Sequence, residues 1–277
     1  DGSEFLTIAI CDCEEEPDTD GDGWLDSCDN CPFDQNVDQV DSNQDGVGDA
    51  CCVNVRGHWT LDRLRSDDSA VDESAFQHHA FAESFFRPES VSDAPTGTGL
   101  SFSTFERSPL VVPKGTTTSS FSGSLSIAAW VRLSSIETAV GELFTIHIAE
   151  KALNANARTG LYIVGAWTTP SSLVIRFDVR SGASVVVTQA FPISQTQSSW
   201  MHVAGVIDHN TQLARIYVNG NEVTAKSDVA RQIDPVVPYD TEMTVFGITT
   251  DSGTSVVTAD ADDIWVMDRA IGFMEVR

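Results

Sequence analysis

The chain has 277 residues, with 41 acidic and 16 basic side chains and a formal net charge of −25. That balance excludes a nucleic-acid partner, which is held by clustered Lys and Arg, and disfavours an anionic membrane surface. No apolar run reaches the roughly 20 residues of a bilayer span, yet 41% apolar residues are enough to fill a core.

The charge is placed unevenly. Residues 1–52 carry 16 Asp or Glu and no Lys, Arg or His, whereas residues 53–277 carry the other 25 acids and all 16 bases. All six cysteines (Cys11, Cys13, Cys28, Cys31, Cys51 and Cys52) lie in the first stretch. Three parts follow: residues 1–10, which begin Asp1-Gly2-Ser3-Glu4-Phe5 and read as a leader or cloning scar; an acidic, cysteine-rich segment, 11–52; and a cysteine-free domain, 53–277.

A segment so charged and so poor in large apolar residues does not fold by burying a core. Its carboxylate spacing predicts what replaces one. Asp18, Asp20, Asp22, Asp26 and Asp29 stand at positions 1, 3, 5, 9 and 12 of a loop with Gly23 at position 6. Hard oxygen ligands at alternate positions, a glycine for the sharp turn and a closing acid are the pattern of a calcium loop. Trp24, at position 7, offers its backbone carbonyl and so tolerates any side chain. The pattern recurs at Asp41, Asn43, Asp45 and Asp49, with Gly46 and Val47 at positions 6 and 7 and Cys52 where the closing acid would stand.

An EF-hand or dockerin needs flanking helices, and here the flanks carry Pro17, Pro32 and cysteines. Cys28-Asp29-Asn30-Cys31 lacks the second Cys-x-x-Cys or the histidines of a zinc knuckle and the preceding strand of a redox pair. An even cysteine count among calcium loops reads as disulfides in an oxidising compartment, and so as a secreted or cell-surface protein.

Asp18 to Cys51 (DTDGDGWLDSCDNCP, then NVDQVDSNQDGVGDAC) resembles thrombospondin type 3 repeats. The resemblance implies an irregular segment wrapped around two or more calcium ions, with Asp18, Asp20, Asp22, Asp26, Asp29, Asn36, Asp41, Asn43, Asp45 and Asp49 as ligands. It also implies pairing of Cys31 with Cys51 and of Cys28 with Cys13, with Cys11 and Cys52 as the remaining couple. Spacing alone leaves the connectivity open.

From residue 53 the period is two. Leu125, Ile127, Ala129, Val131 and Leu133 alternate with Ser126, Ala128, Trp130 and Arg132, and Leu173, Ile175, Phe177 and Val179 with Val174, Arg176 and Asp178. Further strands are predicted at 200–208, 213–218, 243–248 and 263–268, with an Asn219-Gly220 hairpin between Tyr217 and Val223 and a short helix near Gly272–Val276. The fold class predicted is mainly β, an antiparallel jelly-roll β-sandwich preceded by the irregular calcium- and disulfide-stabilised repeats. Six stretches in order resemble the laminin-G-like, concanavalin-A-type jelly roll: Trp59-Thr60-Leu61-Asp62, Gly99-Leu100-Ser101-Phe102, Leu125–Val131, Trp200-Met201-His202-Val203-Ala204, Ile216–Gly220, and Asp263–Val266 leading to Arg269-Ala270-Ile271.

That fold hosts lectins, adhesion modules and glycosidases. The closely spaced carboxylates of its glycosidases are missing: Glu137, Glu142 and Glu150 stand apart. His202 reads as a packed strand residue, and adjacent His78 and His79 point to opposite faces, so no enzyme is expected. Asp62, Asp262 and Asp263 fall on the opening and closing strands, as ligands of a further calcium or as hydrogen-bond acceptors for turns. Tyr162, Trp167 and Tyr239 are candidates for stacking on sugars from loops, and 152–159 reads as an insertion shaping a rim. The expectation is an extracellular, calcium-binding adhesion or recognition module whose jelly roll binds a glycan or protein ligand; the alternative is a calcium-dependent lectin or the carbohydrate-binding module of a secreted polysaccharide-active enzyme.

Overall fold

The structure is a computed structural model. It describes residues 18, 20–31, 35–40, 48 and 50, then 55–74, 76–82, 87–104, 109–114, 124–137, 142–154, 157–166, 173–181, 184–193, 199–208, 211, 213–223, 241–251 and 256–271. The chain divides into two compact units, Asp1–Asn54 and Val55–Arg277.

In the first unit the described residues form turns and bends without strands. The second is almost entirely β: β1 (Val55–Leu64), β2 (Ser69–Asp72), β3 (Ala80–Ala82), β4 (Glu89–Ala94), β5 (Gly97–Ser103), β6 (Leu110–Val112), β7 (Leu125–Glu137), β8 (Leu143–Asn154), β9 (Ala157–Ala166), β10 (Leu173–Ser181), β11 (Ser184–Ile193), β12 (Met201–Asp208), β13 (Leu213–Val218), β14 (Asn221–Glu222), β15 (Met243–Thr250) and β16 (Val256–Met267). The described residues contain no α-helix, and no helix long and apolar enough to cross a membrane.

Every pairing is antiparallel, and the strands join in one sheet of order β11-β10-β9-β8-β15-β6-β3-β2-β1-β16-β7-β12-β13-β14, with the β4–β5 hairpin attached to β16. The sheet folds over on itself as a jelly roll: β8 and β15 pack across on β16, and β10 and β11 on β13. The alternation read from the sequence sets which side faces in. Leu125, Ile127, Ala129, Val131 and Leu133 of β7 face Ile146, Ile148, Leu161, Ile163, Ile175 and Phe177 of the opposite layer in one continuous core. At the β13–β14 hairpin both Asn219 (φ 48°) and Gly220 (φ 74°) are left-handed, as a two-residue turn between strongly twisted strands requires.

Two differences from the predicted elements stand out. The described part of 152–159 is not irregular: β8 runs to Asn154 and β9 starts at Ala157, pairing Lys151 with Thr159, Ala152 with Arg158 and Asn154 with Ala157. The closing strand begins at Val256, seven residues before the predicted start, because Val257, Ala259 and Ala261 face the core ahead of Ile264. The predicted helix near Gly272–Val276 lies outside the described residues.

The core leaves no room at Gly205 of β12, where a Cβ would stand 2.6–2.9 Å from three atoms of the Phe177 ring. Gly205→Ala is therefore expected to lower the unfolding free energy by about 1–3 kcal/mol through overpacking. Urea titration would measure it, and an unchanged midpoint would show that the layers sit further apart than described.

Candidate functional site

Three groups of chemically active side chains emerge. The first is the aspartate loop of the N-terminal unit. Gly21 (φ 78°) and Gly23 (φ 101°) occupy conformations that L side chains rarely adopt, and these turns direct the alternate aspartates to one place. Asp18 Oδ1 accepts from Gly21 N (2.7 Å) and its Oδ2 from Gly23 N (3.1 Å). Asp20 Oδ1 accepts from Asp22 N (3.0 Å), and Asp22 Oδ1 from Trp24 N (2.8 Å). One carboxylate oxygen from each of Asp18, Asp20 and Asp22 lies within 4.8 Å of the others. Asp20 Oδ2 is buried with no hydrogen-bond partner. Burial, reinforced by the charges of Asp22, Asp29 and Asp18, pushes the Asp20 carboxyl up.

The other predicted ligands are placed differently. Asp26 and Asp29 lie outside that cluster. Asp29 Oδ1 instead accepts from Cys31 N (2.7 Å) and from Gln39 Nε2 (2.7 Å), while Asn36 is 6% exposed and donates its backbone N–H to Asp22 Oδ2 at 2.8 Å. Trp24 is half exposed, its indole N–H 3.2 Å from Val37 O. Asn30 and Gln39, which the spacing did not single out, tie the segment together: Asn30 N donates to Gln39 Oε1 (2.9 Å), Asn30 Nδ2 to Gln39 O (3.0 Å) and Gly48 N to Asn30 O (2.8 Å). Cys28 and Cys31 are each disulfide-bonded. Their expected partners Cys13 and Cys51, together with Cys11, Cys52, Asp41, Asn43, Asp45, Val47 and Asp49, lie outside the described residues.

The second group is Asp62, Asp262 and Asp263. Bulges with Leu61 (φ 58°) and Asp263 (φ 50°) break the β1 and β16 ladders here. Asp262 Oδ2 accepts from Thr96 N (3.1 Å) and Thr96 Oγ1 (2.7 Å), and Asp62 Oδ1 from Thr98 N (2.9 Å). A Cβ on Gly97 (φ 132°) would fall 2.4 Å from Asp62 Oδ1, so glycine is required at that turn. Asp263 Oδ1 pairs with His58 Nε2 (2.7 Å), and His58 stacks on Trp265 at 3.5 Å between ring centroids. Hydrogen bonds from His58 and Trp265 outweigh burial and hold the Asp263 carboxyl low, whereas burial pushes Asp262 up. These acids thus fix the β4–β5 turn and the β1–β16 seam. His202, 7% exposed with its ring edge-on to Trp130, is a packed structural residue, and the partly buried His78 donates its backbone N–H to Asp72 Oδ2 (2.7 Å).

The third group lies on the face of β8, β9, β10 and β15 that points away from the core. In a regular strand His147 and Glu150 would face opposite sides. The bulge at Ala149 (φ 46°), with the register shift between Ile148 and Lys151, turns both outward. His147 Nδ1 meets Glu150 Oε2, His147 Nε2 lies 2.9 Å from Thr249 Oγ1, and Tyr162 donates to Glu150 Oε1 at 3.1 Å. Tyr162 is 2% exposed in the middle of β9, so it anchors Glu150 and is not a loop platform for sugars. Burial, reinforced by the Glu150 charge, pushes its phenol well up. Trp167 and Tyr239 lie outside the described residues. Around Tyr162 the polar row continues: Arg158 stacks on its ring at 5.3 Å, and Asp178, fully buried, holds Arg158 and Arg176 at 2.6 Å each.

This row opens on a cavity of about 530 Å³ lined by His147, Glu150, Thr249, Thr250, Asp251 and the apolar Pro109 and Ile248, among others. An adjoining hollow shares Glu150 and Thr244 and adds Lys114 and Glu242. Burial acts to raise the Glu150 carboxyl, but its bonds to His147 and Tyr162, with the charges of His147 and Arg158, bring it below the usual range. Glu150 therefore stays ionised, the opposite of what the general acid of a glycosidase needs.

A carboxylate held low stabilises the fold fully above its unfolded pKa, about 4.3, and that stability is lost as the pH falls through the lower folded value. Glu150→Gln is expected to reduce stability at pH 7 by about 1–3 kcal/mol, with a smaller gap to the parent at pH 3, below the unfolded pKa. Equal gaps at both values, measured by urea unfolding, would contradict a Glu150 carboxylate stabilised by its bonds to His147 and Tyr162.

Comparison with known proteins bears on the jelly roll. A family model, Laminin_G_3, described as the concanavalin A-like lectin/glucanases superfamily, matches residues 108–277. No match was found among curated proteins. Among solved structures, the binding domain of Paraclostridial Mosquitocidal Protein 1 is similar, with a TM-score of 0.58, 14% identity, and coverage of 81% of this chain and 51% of that one. The binding domain of botulinum neurotoxin DC, solved with rat synaptotagmin II, gives 0.54, 12%, 81% and 50%. A structure of botulinum neurotoxin type C, whose cell entry depends on interaction with two ganglioside molecules, gives 0.54, 15%, 81% and 50%. The chain spans about half the length of each, and at these identities the likeness shows the fold alone. The chain belongs to the Laminin_G_3 family of the concanavalin A-like lectin/glucanases superfamily.

Proposed function

We propose that this chain is a non-catalytic, extracellular recognition module in which calcium organises the N-terminal repeats and the jelly roll binds a glycan or protein ligand in adhesion. The observation that carries the calcium half is the buried, unpartnered Asp20 Oδ2 beside the Asp18 and Asp22 carboxylates. A buried anionic oxygen with no donor is costly, and three hard oxygens at close quarters suit a hard cation. Asp18, Asp20 and Asp22 would hold the ion, which would supply charge neutralisation and a fixed loop shape. The resemblance to thrombospondin type 3 repeats extends the proposal to the second loop.

Recognition is supported by family membership and by a cavity on the jelly roll whose lining includes His147, Glu150, Thr249 and Asp251. The non-catalytic reading is supported by an ionised Glu150 whose two oxygens already serve His147 and Tyr162. The solved binding domains that share the fold come from proteins that engage gangliosides and synaptotagmin, and such ligand classes set the probes. The cavity also favours the alternative, a calcium-dependent lectin or carbohydrate-binding module, within the same recognition function.

The test is a broad glycan array, with a panel of extracellular proteins, probed in millimolar calcium and again after chelation. Selective binding of one class is expected of the jelly roll, and Asp20→Asn is expected to weaken calcium binding by about tenfold or more in calorimetry; unchanged calcium affinity would contradict the calcium half. A folded protein that binds neither class would contradict the reading.

A further inference from the structure

The inference rests on the recognition function proposed above and concerns where, and to what, the jelly roll binds. We infer that the cavity over the outer face of β8 and β15, beside Thr104 and Pro109, is a seat for an uncharged saccharide, read through its hydroxyl groups, and that it disfavours sialylated and other anionic glycans.

The lining carries this reading. Thr249 is exposed at the mouth and is bonded at 2.9 Å to His147 Nε2, so its hydroxyl is held in place before any ligand arrives. Glu150, further in, is fixed from two sides by His147 and Tyr162. A carboxylate oxygen has lone pairs for a second donor, so each Glu150 oxygen can still accept a sugar hydroxyl without giving up its protein partner. Asp251, also in the lining, adds a second acceptor. Pro109 gives an apolar flank for the C–H face of a sugar ring, and the volume of about 530 Å³ falls within the range of small-molecule sites.

Charge decides between ligand classes. The cavity and its neighbouring hollow present Glu150, Asp251 and Glu242 against Lys114 and His147 among the described residues. In a partly buried site the repulsion between these carboxylates and a ligand carboxylate is stronger than in bulk water. The same acids accept neutral hydroxyls as charge-assisted hydrogen bonds. A metal ion fits less well: among the described residues the one cluster of three ligating side chains is Asp18, Asp20 and Asp22, in the other unit.

The experiment uses the full chain in calcium and pairs of array glycans that share a neutral core, one member of each pair ending in sialic acid. The best neutral hit is then titrated by calorimetry against the parent, Thr249→Val and Asp251→Asn. Both substitutions sit at exposed positions, so folding is checked by thermal melting. The expected result is binding of the neutral member with at least about tenfold preference over its sialylated partner, and a loss of about tenfold in each variant at an unchanged melting temperature. Sialylated preference, or neutral binding that neither substitution alters, would overturn the seat while leaving the recognition reading standing. A folded protein that binds no glycan at all would overturn the seat and remove the glycan arm of the recognition reading, leaving its protein arm to the partner panel.

Discussion

Sixteen carboxylates in 52 residues, with no cationic side chain among them, is the constraint that governs the N-terminal unit. Like charges at this density repel, and the segment has too little apolar surface to answer them by burial. The described residues show the local response. Backbone N–H groups of Gly21, Asp22, Gly23, Trp24 and Asn36 are spent on Asp18, Asp20 and Asp22, and side-chain amides of Asn30 and Gln39 knit the following turns. These dipoles spread the charge without neutralising it. Asp20 Oδ2 is left with nothing, and that residue of unmet charge makes a cation the economical partner for the loop.

The jelly roll follows a different logic. Its stability comes from two apolar faces closing on each other, and its chemistry from the places where the ladder is broken. The bulge at Ala149 converts His147 and Glu150 from opposite-facing residues into a hydrogen-bonded pair. The bulges at Leu61 and Asp263 divide two neighbouring acids, so that Asp262 holds the β4–β5 turn and Asp263 the His58–Trp265 stack. In each case one extra residue re-aims a side chain that strict alternation would have sent elsewhere.

The same feature explains what was legible in the sequence. Leu125 to Leu133 declared a strand because its aliphatic side chains at every second position face the main core, with Ser126, Ala128, Trp130 and Arg132 between them, and the Asn219-Gly220 turn declared its hairpin because both residues tolerate a left-handed backbone. The clustering of Asp18, Asp20 and Asp22 was readable because it is local, set by alternate positions around glycine. The pairing of His147 with Glu150 was hidden, since three residues apart on a strand means opposite faces unless a bulge intervenes, and Ala149 carries no signal of one. Tyr162 reads as a loop aromatic because Asn154, Asn156 and their alanine neighbours resemble a loop, yet Lys151, Ala152 and Asn154 pair with Thr159, Arg158 and Ala157 across a local register shift. The ties from Asn30 to Gln39 and Gly48 are long-range within an irregular segment, where no period exists to announce them.

The central claim is that calcium is the missing partner of the acidic repeats, and small-angle scattering of the full chain with and without chelator, with circular dichroism on the same samples, tests it most directly. The account predicts a compact calcium-loaded state and an expanded chelated one, reversed by restoring calcium, with the β signal of the jelly roll retained throughout. Superimposable scattering curves and spectra in the two conditions would contradict it.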